Sequence, residues 1–273
     1  MTSRVWFITG ASRGLGRQWA IAALNRGDRV AACARNPEAL DDLVQTYGGA
    51  LHPIRLDVTD RDRCFAAVGE AHRRFGRLDV VVNNAGYGQY GFVEELSEAQ
   101  ARAQMETNFF GALWVTQAAL PYLRAQHSGH IIQVSSIGGV TAFPNLGIYH
   151  ASKWALEGLT QSLAAEVADF GVHVTLVEPA GFATDWIDRA GESEQLAAYD
   201  DERVKFEQAR LQRNVRPGDP QASAAAILKV VDAEQPPLRV FFGANALGWA
   251  RADYESRLAN WDRWQPLAVE AQG

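Results

Sequence analysis

Short apolar runs alternate with longer helical patterns along most of the chain, and this alternation limits the possible folds more than any other feature. Seven runs have strand character, at 5–9, 29–33, 54–58, 79–83, 130–135, 173–178 and 238–242. Strands joined by helical crossovers run parallel, and runs that are apolar throughout indicate burial on both faces. The sequence therefore predicts an α/β fold with one doubly wound sheet of about seven parallel strands and helices on both faces.

The 273 residues contain no internal repeat and no low-complexity stretch, so a single domain over 1–273 is predicted. The net charge of −6, with scattered basic residues, gives no surface for nucleic acid. No apolar run approaches the roughly 18 residues of a membrane span, so no membrane partner is expected. The amino-terminal segment lacks the apolar core of a signal peptide, and a cytoplasmic protein is the expectation.

Neither a disulfide framework nor a metal site is indicated. The two cysteines, Cys33 and Cys64, lie 31 positions apart, without a C-x-x-C pattern or clustered histidines. We expect both to be small buried hydrophobic residues.

One stretch interrupts the alternation. Residues 185–218 are charged, carry no strand-like run, and separate the sixth run from the seventh. A long insertion of this kind is often a lid, so a helical lid is predicted over about 185–218, before the last strand; the alternative is a solvated helical excursion without a role. Asp219 and Pro220 then have the pattern of a helix N-cap and first helical residue. Apolar residues at helical spacings over 243–264 predict a packed terminal helix.

The first strand-like run is followed by the glycine-rich sequence TGASRGLG. Glycine permits backbone conformations closed to other residues and lets a phosphate approach the amides at a helix N-terminus, where the helix dipole favours negative charge. A tight structural turn is the alternative, but it would need fewer glycines. The loop is therefore predicted to bind a cofactor phosphate through Gly10, Ser12, Arg13, Gly14, Leu15 and Gly16.

The residues at the end of the second run indicate which nicotinamide dinucleotide is bound, NAD(H) or NADP(H). Folds that prefer NAD(H) typically place an acid there to hold the ribose 2′-hydroxyl, whereas an arginine suits the 2′-phosphate. The sequence has Cys33-Ala34-Arg35 and no acid, and Arg13 adds a second guanidinium that could reach the same phosphate. NADP(H) is therefore the predicted cofactor.

An ordered set of motifs gives the chain a specific resemblance to a known family. The set comprises TGxxxGxG at 9–16, DV at 57–58, NNAG at 83–86, Asn108, Ser136 and Tyr149-x-x-x-Lys153. Together these motifs resemble the short-chain dehydrogenase/reductase family from Val5 to about Phe242, which implies a Rossmann-type fold. The segments ARNPE at 34–38, NNAGYG at 83–88 and EPAGFATD at 178–185 look like the hydroxysteroid- and retinol-dehydrogenase-like branch.

The resemblance also implies cofactor contacts. Asp57 would accept from the amino group of the adenine, and Thr184 would lie near the nicotinamide carboxamide. The family usually has Pro-Gly after the sixth strand, whereas this chain has Pro179-Ala180-Gly181. Beyond the glycine loop and Arg35, the predicted cofactor residues are Asp57, Val58, Asn84, Ala85, Gly86, Tyr149, Lys153, Pro179, Gly181 and Thr184.

Tyr149 and Lys153 have the spacing of a catalytic pair. A phenol with an ordinary pKa of about 10 is a weak acid and base at neutrality, and a nearby cation lowers that pKa. Residues four apart share one face of a helix, so Lys153 can lie beside Tyr149. The same face continues with apolar residues towards Val167, which predicts a core helix that presents the pair at its open end.

Two further residues complete the predicted chemistry. Ser136 follows the fifth strand at the carboxyl edge of the sheet, and its hydroxyl can donate to a substrate oxygen. The resemblance implies that Asn108, in the fourth helix, holds a water beside Lys153 in a proton relay; a structural amide is the alternative. His150 lies about 100° around the helix from Tyr149, so a surface or cofactor-side position is expected.

The predicted function is an NADP(H)-dependent oxidoreductase that interconverts a ketone or aldehyde and an alcohol. Aromatic residues near the predicted pocket favour an apolar, bulky substrate; they are Tyr90, Phe143, Phe182 and Trp186. Small residues opposite Tyr149 on its helix, and the family's habit, predict a homodimer or homotetramer. The alternative is a nucleotide-sensing binding protein of the same fold without turnover, which would be expected to lack Tyr149 or Lys153.

Overall fold

The computed structural model describes residues 3–186, 189–212 and 216–273. Strands and helices alternate along most of this chain. In chain order they are β1 (Val5–Ile8), α1 (Gly14–Asn25), β2 (Arg29–Ala34), α2 (Asp41–Tyr47), β3 (Leu51–Arg55), α3 (Arg61–Phe75), β4 (Val80–Asn83), β5 (Gln89–Tyr90), α4 (Glu98–Met105), α5 (Gly111–Gln126), β6 (Gly129–Val134), α6 (Gly147–Val167), β7 (Val172–Pro179), β8 (Gly191–Glu192), α7 (Asp200–Gln212), α8 (Pro220–Asp232), β9 (Arg239–Phe242) and α9 (Ala246–Glu270).

Seven of these strands form one sheet in the order β3-β2-β1-β4-β6-β7-β9, and every neighbouring pair is parallel. The chain moves outward in one direction through β1, β2 and β3, then returns to place β4 on the other side of β1. In sheets of this type ligands bind at the carboxyl ends of the strands where the order reverses. The predicted doubly wound, Rossmann-type fold is confirmed.

Helices cover both faces of the sheet. On one face α3, α5 and α6 pack with the sheet in a core that includes Val115, Ile131 and Leu163. On the other face α1 and α8 pack in a second core that includes Trp19 and Ile227. Both cysteines are unpaired and buried, as the sequence predicted. Burial on both faces explains why the central strands are apolar throughout.

The third strand lies three residues earlier than predicted, at Leu51–Arg55 rather than 54–58. It forms an edge of the sheet and contains Pro53. Proline lacks the N–H group that a central strand needs, but an edge strand tolerates it. The apolar residues after Arg55 belong to the connection that leads into α3, and this explains the displaced prediction.

The structure of the segment predicted to be a lid differs from the sequence prediction in one respect. Residues 187, 188 and 213–215 of the 185–218 segment lie outside the described residues. The remainder contains α7 and also the short strand β8, which pairs in parallel with β5, so the expectation of a segment without a strand is wrong. Arg203 of α7 binds Glu95 at 2.7 Å, and the Glu95 side chain is fully buried. This ion pair joins the lid to the body.

The carboxyl-terminal helix is present, but it is not packed as predicted. Its first turns are buried at Ala246 and Ala250, whereas every residue from 258 to 273 is exposed. Trp261 and Trp264 are 58% and 57% exposed. The spacing of apolar residues indicates a helix but cannot tell what surrounds it, so only the fold reveals that α9 leaves the body of the protein.

The amino end of α8 agrees with the sequence. The Asp219 carboxylate accepts a hydrogen bond from the Gln221 N–H group at 2.9 Å, and Pro220 is the first helical residue. Among the described residues, no helix combines the length and apolar character needed to cross a membrane.

Candidate active site

The glycine loop between β1 and α1 is held by main-chain hydrogen bonds. Gly10 and Gly14 have φ angles of 63° and 54°, in the left-handed region that favours glycine. The buried Thr9 hydroxyl accepts hydrogen bonds from the N–H groups of Asn84 and Ala85, at 2.9 Å and 3.0 Å. These bonds tie the loop to the carboxyl end of β4, at the place where the strand order reverses.

Gly16 is the residue of the loop with the least room for a side chain. A Cβ atom there would lie 2.7 Å from the Gly10 carbonyl oxygen and closer still to Asn84 Nδ2. The Asn84 amide in turn donates to the carbonyl oxygens of Thr9 and Gly10, at 3.0 Å and 3.1 Å. Asn84 therefore holds the loop through these two hydrogen bonds, and any side chain at position 16 would displace the Asn84 amide.

The first turn of α1 has free donors at this loop. Its N-cap is Arg13, no side chain caps the helix, and the first turn carries no acid. The loop segment 12–15 therefore presents main-chain N–H groups in the way that suits an anion. Thr184 lies against Gly14, because a Cβ atom at position 14 would be 3.7 Å from the Thr184 methyl group.

Arg13 and Arg35 have different neighbours. The Arg13 guanidinium lies 3.6 Å from the Asp185 carboxylate at the start of the lid, and both side chains are partly exposed. Arg35 borders a cleft of about 340 Å³ at the ends of β2 and β3. That both arginines reach one phosphate stays a prediction.

The cleft beside Arg35 contains three arginines. Its lining residues are Arg35, Arg55, Asp57, Asp60 and Arg63. Arg55 also binds Glu38 at 3.1 Å, and Arg63 donates to the Arg55 carbonyl oxygen at 2.7 Å. The sequence analysis missed Arg55 and Arg63, although both are within six positions of Asp57 in the segment RLDVTDRDR.

Two residues predicted at the cofactor have other contacts. The Asp57 carboxylate accepts from the Thr59 N–H and hydroxyl groups at 3.1 Å and 2.9 Å, and it also borders the arginine cleft. Val58 is buried in the core and packs against Gly111, where a Cβ atom would be 2.6 Å from its methyl group.

Tyr149 and Ser136 meet at the carboxyl edge of the sheet. Tyr149 lies in the first turn of α6 and is 7% exposed. The Ser136 side chain lies near its phenol, and Ser136 Oγ accepts a hydrogen bond from the Gly138 N–H group at 3.0 Å. Burial raises the pKa of Tyr149 to about 12, and the nearby Ser136 side chain acts in the opposite direction. The phenol is therefore protonated at neutral pH.

Lys153 lies one turn further along α6, and its side chain is also buried. Its Nζ donates to the Val134 carbonyl oxygen at 2.9 Å and lies 6.0 Å from the centre of the Tyr149 ring. Burial lowers the pKa of Lys153 to about 8, and the nearby Glu157 partly opposes this shift. The expected lowering of the Tyr149 pKa by Lys153 is not found in this geometry: desolvation of the phenol is the largest effect on its pKa, and the direction is upward.

Asn108 lies where the helix changes its winding. Residues Glu106–Phe110 form a π-helical turn between α4 and α5, a feature that is frequent at functional sites. The Asn108 amide accepts from the Tyr87 N–H group at 3.1 Å and donates to the Tyr87 carbonyl oxygen and the Ser152 hydroxyl. A Cβ atom at Gly86 would be 3.1 Å from Asn108 Oδ1 and 3.6 Å from Lys153 Nζ, so these groups surround the Gly86 backbone.

The carboxyl end of β7 completes the edge. Pro179 ends the strand, and the Gly181 carbonyl oxygen accepts from the Gly218 N–H group at 2.9 Å. This bond holds the start of the lid segment against the residues that precede α8. Thr184 follows and approaches Gly14, so the segment after β7 passes beside the glycine loop.

Aromatic rings cover Tyr149 from the lid side. The Trp186 ring lies 5.2 Å from the Tyr149 ring, edge to face, and 6.4 Å from the Tyr90 ring. A Cβ atom at Gly88 would be 2.5 Å from the Trp186 ring, so position 88 leaves space for the indole. The Phe182 ring instead packs against Gly218. Among the predicted aromatic residues, Trp186 therefore contacts the Tyr149 ring directly, and Tyr90 contacts Trp186.

His150 is not where the sequence predicted. Its ring is 4% exposed rather than on the surface. Nδ1 lies 2.8 Å from the Gly138 carbonyl oxygen, and Nε2 accepts from the Phe143 N–H group at 3.0 Å. The helical angle correctly separates His150 from the Tyr149 face, but a second segment, 138–143, folds over it.

Comparison with known proteins agrees with this arrangement. Residues 4–195 match the family described as short chain dehydrogenase. The chain is similar to a crystal structure of a short-chain dehydrogenase from Streptomyces avermitilis, with a TM-score of 0.90, 39% identity, and coverage of 99% of this chain and 98% of that one. This chain belongs to the short-chain dehydrogenase family.

Two curated relatives of this short-chain dehydrogenase align over most of its length. Oxidoreductase BOA17 of Botryotinia fuckeliana (strain B05.10) is 42% identical, with 98% of each chain covered. The 3-ketodihydrosphingosine reductase of Bacteroides thetaiotaomicron is 36% identical, with 89% of each chain covered. The chain is therefore an oxidoreductase of this family. The narrower hydroxysteroid- and retinol-dehydrogenase-like branch stays a prediction, because neither relative carries a name from it.

The short-chain dehydrogenase also has a buried acidic pair that the sequence analysis missed. Glu157 and Glu178 both approach Arg239, whose Nε is 3.1 Å from Glu157 Oε2 and 3.7 Å from Glu178 Oε1. Burial and the Glu157 charge raise the pKa of Glu178 to about 8. The two residues are 21 positions apart in the sequence, so no local pattern could have indicated the pair.

Proposed function

We propose that this short-chain dehydrogenase is an NADP(H)-dependent oxidoreductase that interconverts a ketone or aldehyde and an alcohol by hydride transfer, with Tyr149 as acid and base. The observation that carries the proposal is the meeting of Ser136, Tyr149 and Lys153 at the carboxyl edge of the sheet, beside Gly86 and the glycine loop. The family shows an oxidoreductase, and these side chains supply the groups that carbonyl chemistry requires.

The residues around the glycine loop fit a nicotinamide dinucleotide. Gly10, Gly14 and Gly16 leave a cradle that side chains would fill, and the uncapped turn of α1 offers donors to a diphosphate. We assign the diphosphate to residues 10–16, and the nicotinamide end to Asn84, Ala85, Gly86, Tyr149, Lys153, Pro179, Gly181 and Thr184. When bound, this cofactor supplies or accepts the hydride.

The arginine cleft supports NADP(H) over NAD(H). A ribose 2′-phosphate carries negative charge that NAD(H) lacks, and arginine binds phosphate through paired N–H donors. We assign the 2′-phosphate to Arg35, with Arg55 and Arg63 beside it, and the adenine to Asp57 and Val58. Asp60 at the same cleft is the N-cap of α3 and accepts from the Arg63 N–H group, so its charge is partly used by the helix.

The proton chemistry follows from the ionisation of Tyr149. In carbonyl reduction, carbon gains a hydride and oxygen gains a proton, and a neutral phenol can donate that proton. The pKa of Tyr149 is raised to about 12, so the phenol is in its donor form at neutral pH. Ser136 donates a hydrogen bond to the carbonyl oxygen, the Lys153 ammonium stabilises the phenolate left behind, and Asn108 is assigned to the route that returns the proton.

The aromatic contacts favour an apolar, bulky substrate. Trp186 lies edge to face against Tyr149 and in turn contacts Tyr90. A carbonyl compound that reaches Tyr149 would therefore meet an aromatic surface. The Bacteroides relative, a 3-ketodihydrosphingosine reductase by name, supports carbonyl reduction as the activity.

We also propose one domain over 1–273 and a homodimer or homotetramer. The small residues of α6 opposite Tyr149 form a largely exposed strip, which consists of Ala151, Ala155, Gly158, Ser162 and Ala165. Such a strip lets a second helix approach closely. Light scattering after size exclusion tests this, and a monomer at micromolar concentration contradicts it.

The decisive experiment measures binding of NADPH and NADH, then oxidation of bound NADPH by aromatic and long-chain ketones and aldehydes. We expect tighter binding of NADPH and loss of that preference in Arg35→Ala. Arg251→Ala, which removes an exposed arginine of α9, is the matched control and should leave the preference unchanged. Tighter binding of NADH by the wild type overturns the cofactor assignment.

Tyr149→Phe tests the chemistry separately. Removal of the phenolic oxygen leaves the ring and its contacts with Trp186 in place, so folding and cofactor binding should be kept. We expect turnover to fall by at least about 100-fold, the usual contribution of a positioned acid. Full turnover by this variant contradicts the assignment of Tyr149 as acid and base.

A further inference from the structure

His150 connects the helix of Tyr149 to the segment that carries Ser136. The ring lies in the first turn of α6, directly after Tyr149, and is 4% exposed. Its two nitrogens contact opposite ends of the segment 138–143: Nδ1 is 2.8 Å from the Gly138 carbonyl oxygen, and Nε2 is 3.0 Å from the Phe143 nitrogen. One buried side chain therefore spans six residues of the neighbouring segment.

These contacts fix the protonation of the ring. A carbonyl oxygen can only accept, so Nδ1 must carry the hydrogen that is donated to Gly138. A main-chain N–H group can only donate, so Nε2 must present its lone pair to Phe143. The ring therefore has to be neutral and in the Nδ1-protonated form. Burial lowers the pKa of His150, which agrees with a neutral ring.

The Gly138 peptide transmits this contact to Ser136. Its carbonyl oxygen accepts from His150, while its N–H group donates to Ser136 Oγ at 3.0 Å. With one lone pair of Oγ occupied in this way, the Ser136 hydroxyl hydrogen is directed elsewhere, and the Ser136 side chain lies near the Tyr149 phenol. Two residues that follow each other on α6 thus meet the same serine, one directly and one through Gly138.

The space at Gly138 supports the same conclusion independently. A Cβ atom at this position would lie 2.7 Å from His150 Nδ1 and 3.2 Å from the Tyr149 ring. Any larger residue would push the imidazole away from the segment. Glycine at position 138 is therefore the residue that the His150 contact requires.

The other end of the bridge reaches the wall of the substrate site. The Phe143 ring lies 5.8 Å from the His150 ring and 6.1 Å from the Trp249 ring at the root of α9. The Phe143 N–H group is held by His150 Nε2, so the backbone that carries this ring is fixed from α6 as well as from α9.

We propose that His150 is a positioning residue for the reaction: through Gly138 it orients the Ser136 hydroxyl, and through the Phe143 N–H group it holds the backbone of an aromatic residue that is proposed to border the substrate. The inference rests on the proposed function, because it concerns the same serine and the same substrate pocket. His150 itself contacts neither the substrate oxygen nor the cofactor, and it acts through the two main-chain groups that it holds.

Two substitutions of His150 each keep one of its two hydrogen bonds and remove the other. Asn places its amide nitrogen near the position of Nδ1 and keeps the donation to Gly138, whereas Gln reaches further and can offer an oxygen to the Phe143 N–H group. We expect His150→Asn to keep most of kcat and to raise KM for a bulky ketone. We expect His150→Gln to lower kcat with a smaller change in KM. If His150 contributed only to stability, the two substitutions would not affect kcat and KM differently.

Removal of both contacts gives the largest effect. His150→Leu keeps an apolar side chain in the buried site, and we expect kcat/KM to fall by about 100-fold, the usual effect of misplacing a reacting group by about 1 Å. NADPH affinity should change by less than about twofold, since the glycine loop and arginine cleft are remote from this bridge. The control is His173→Leu, which removes an exposed histidine of β7 and should leave both constants unchanged.

The results distinguish this inference from the proposed function. If Tyr149→Phe is inactive while all three His150 variants keep kcat/KM within about threefold, only the positioning role is wrong. Equal changes of kcat and KM in the Asn and Gln variants also overturn it. If Tyr149→Phe is fully active, the chemistry itself is wrong. Nitrogen NMR of the wild-type imidazole gives a test without turnover, because a ring protonated at Nε2 contradicts the bridge even if every variant loses activity.

Discussion

The proposed cofactor side and the proposed substrate side of the molecule are held by different kinds of contact. The cofactor side, residues 9–16 and 84–86, is fixed by hydrogen bonds from the Thr9 and Asn84 side chains to the main chain and by glycines that leave no room for a side chain. The substrate side, residues 137–143 with Trp186 and α7, is held by aromatic rings, one histidine and one buried ion pair. Main-chain contacts leave few alternatives, whereas packed rings and a single ion pair can adjust.

This difference predicts the largest effect on the cofactor side. In Gly16→Ala the new methyl group would press on the Gly10 carbonyl oxygen and the Asn84 amide. Overpacking of this kind costs about 1–3 kcal/mol, so NADPH affinity should fall by roughly 10- to 100-fold. Calorimetry or fluorescence of bound NADPH measures it. Gly248→Ala in α9, where no atom lies within 4 Å of the new methyl group, is the control and should keep full affinity.

A smaller effect is expected where the lid joins the body. Arg203→Ala leaves the buried Glu95 carboxylate without its partner and also removes the guanidinium that lies 5.2 Å from the Phe92 ring. We expect KM for a bulky ketone to rise by about tenfold, equivalent to about 1.4 kcal/mol, with unchanged NADPH affinity and faster proteolysis within α7. Arg210→Ala removes an exposed pair with Glu207 and should behave as the wild type.

If Arg203→Ala weakens NADPH binding as much as Gly16→Ala does, the cofactor side and the substrate side are coupled, and the proposed difference between them is wrong. An unchanged KM would instead mean that α7 does not border the substrate. Glu95→Gln adds a further check. The Arg203 contact holds the pKa of Glu95 at about 2, so the carboxylate is charged throughout the working range and the variant should resemble Arg203→Ala at every pH tested.

The ionisation of Lys153 predicts a pH dependence where the two sides meet. Its pKa is lowered to about 8, so the ammonium is present below pH 8 and is lost as the pH rises through that value. We expect kcat for reduction to decline by at least severalfold between pH 7 and pH 9, with its midpoint near pH 8. In Lys153→Arg the cation persists to much higher pH, so activity should be lower at pH 7 but should not decline over this range. A decline at the same midpoint in both proteins contradicts the assignment.

The smallest effect concerns stability rather than turnover. The pKa of Glu178 is raised to about 8 from an ordinary 4.5, so the folded protein binds its proton more tightly than the unfolded chain. The resulting stabilisation is complete below about pH 4.5 and is lost as the pH rises towards 8. The Tm should therefore fall by a few degrees less between pH 5 and pH 9 in Glu178→Gln than in the wild type. Glu234→Gln, at an exposed position, should keep the wild-type dependence.

Sequence reasoning succeeded where local chemistry decides the outcome. The glycine spacing predicted the loop, since a positive φ at Gly10 and Gly14 depends on the residue itself. The i, i+4 spacing correctly put Tyr149 and Lys153 on one buried face of α6. The order of apolar runs predicted the parallel sheet, because crossover connections leave few other arrangements.

Sequence reasoning failed where distant segments meet. It missed Arg55 and Arg63 at the arginine cleft, because their orientation depends on how β3 and α3 lie beside β2. It expected His150 at a surface or cofactor-side position and missed that the segment 138–143 covers the ring, because that segment belongs to another part of the chain. It predicted that α9 packs against the rest of the protein, because the spacing of apolar residues indicates a helix but does not specify its neighbours.

The sequence by itself determined the fold, the glycine loop and the pairing of Tyr149 with Lys153, since each depends on backbone geometry over a few residues or on the order of the strands. Only the tertiary structure decided the sign of the pKa shift at Tyr149. A phenol beside an ammonium is expected to ionise more easily, but desolvation is a property of all the surrounding segments together. Burial is the largest effect on this pKa, and no local motif contains that information.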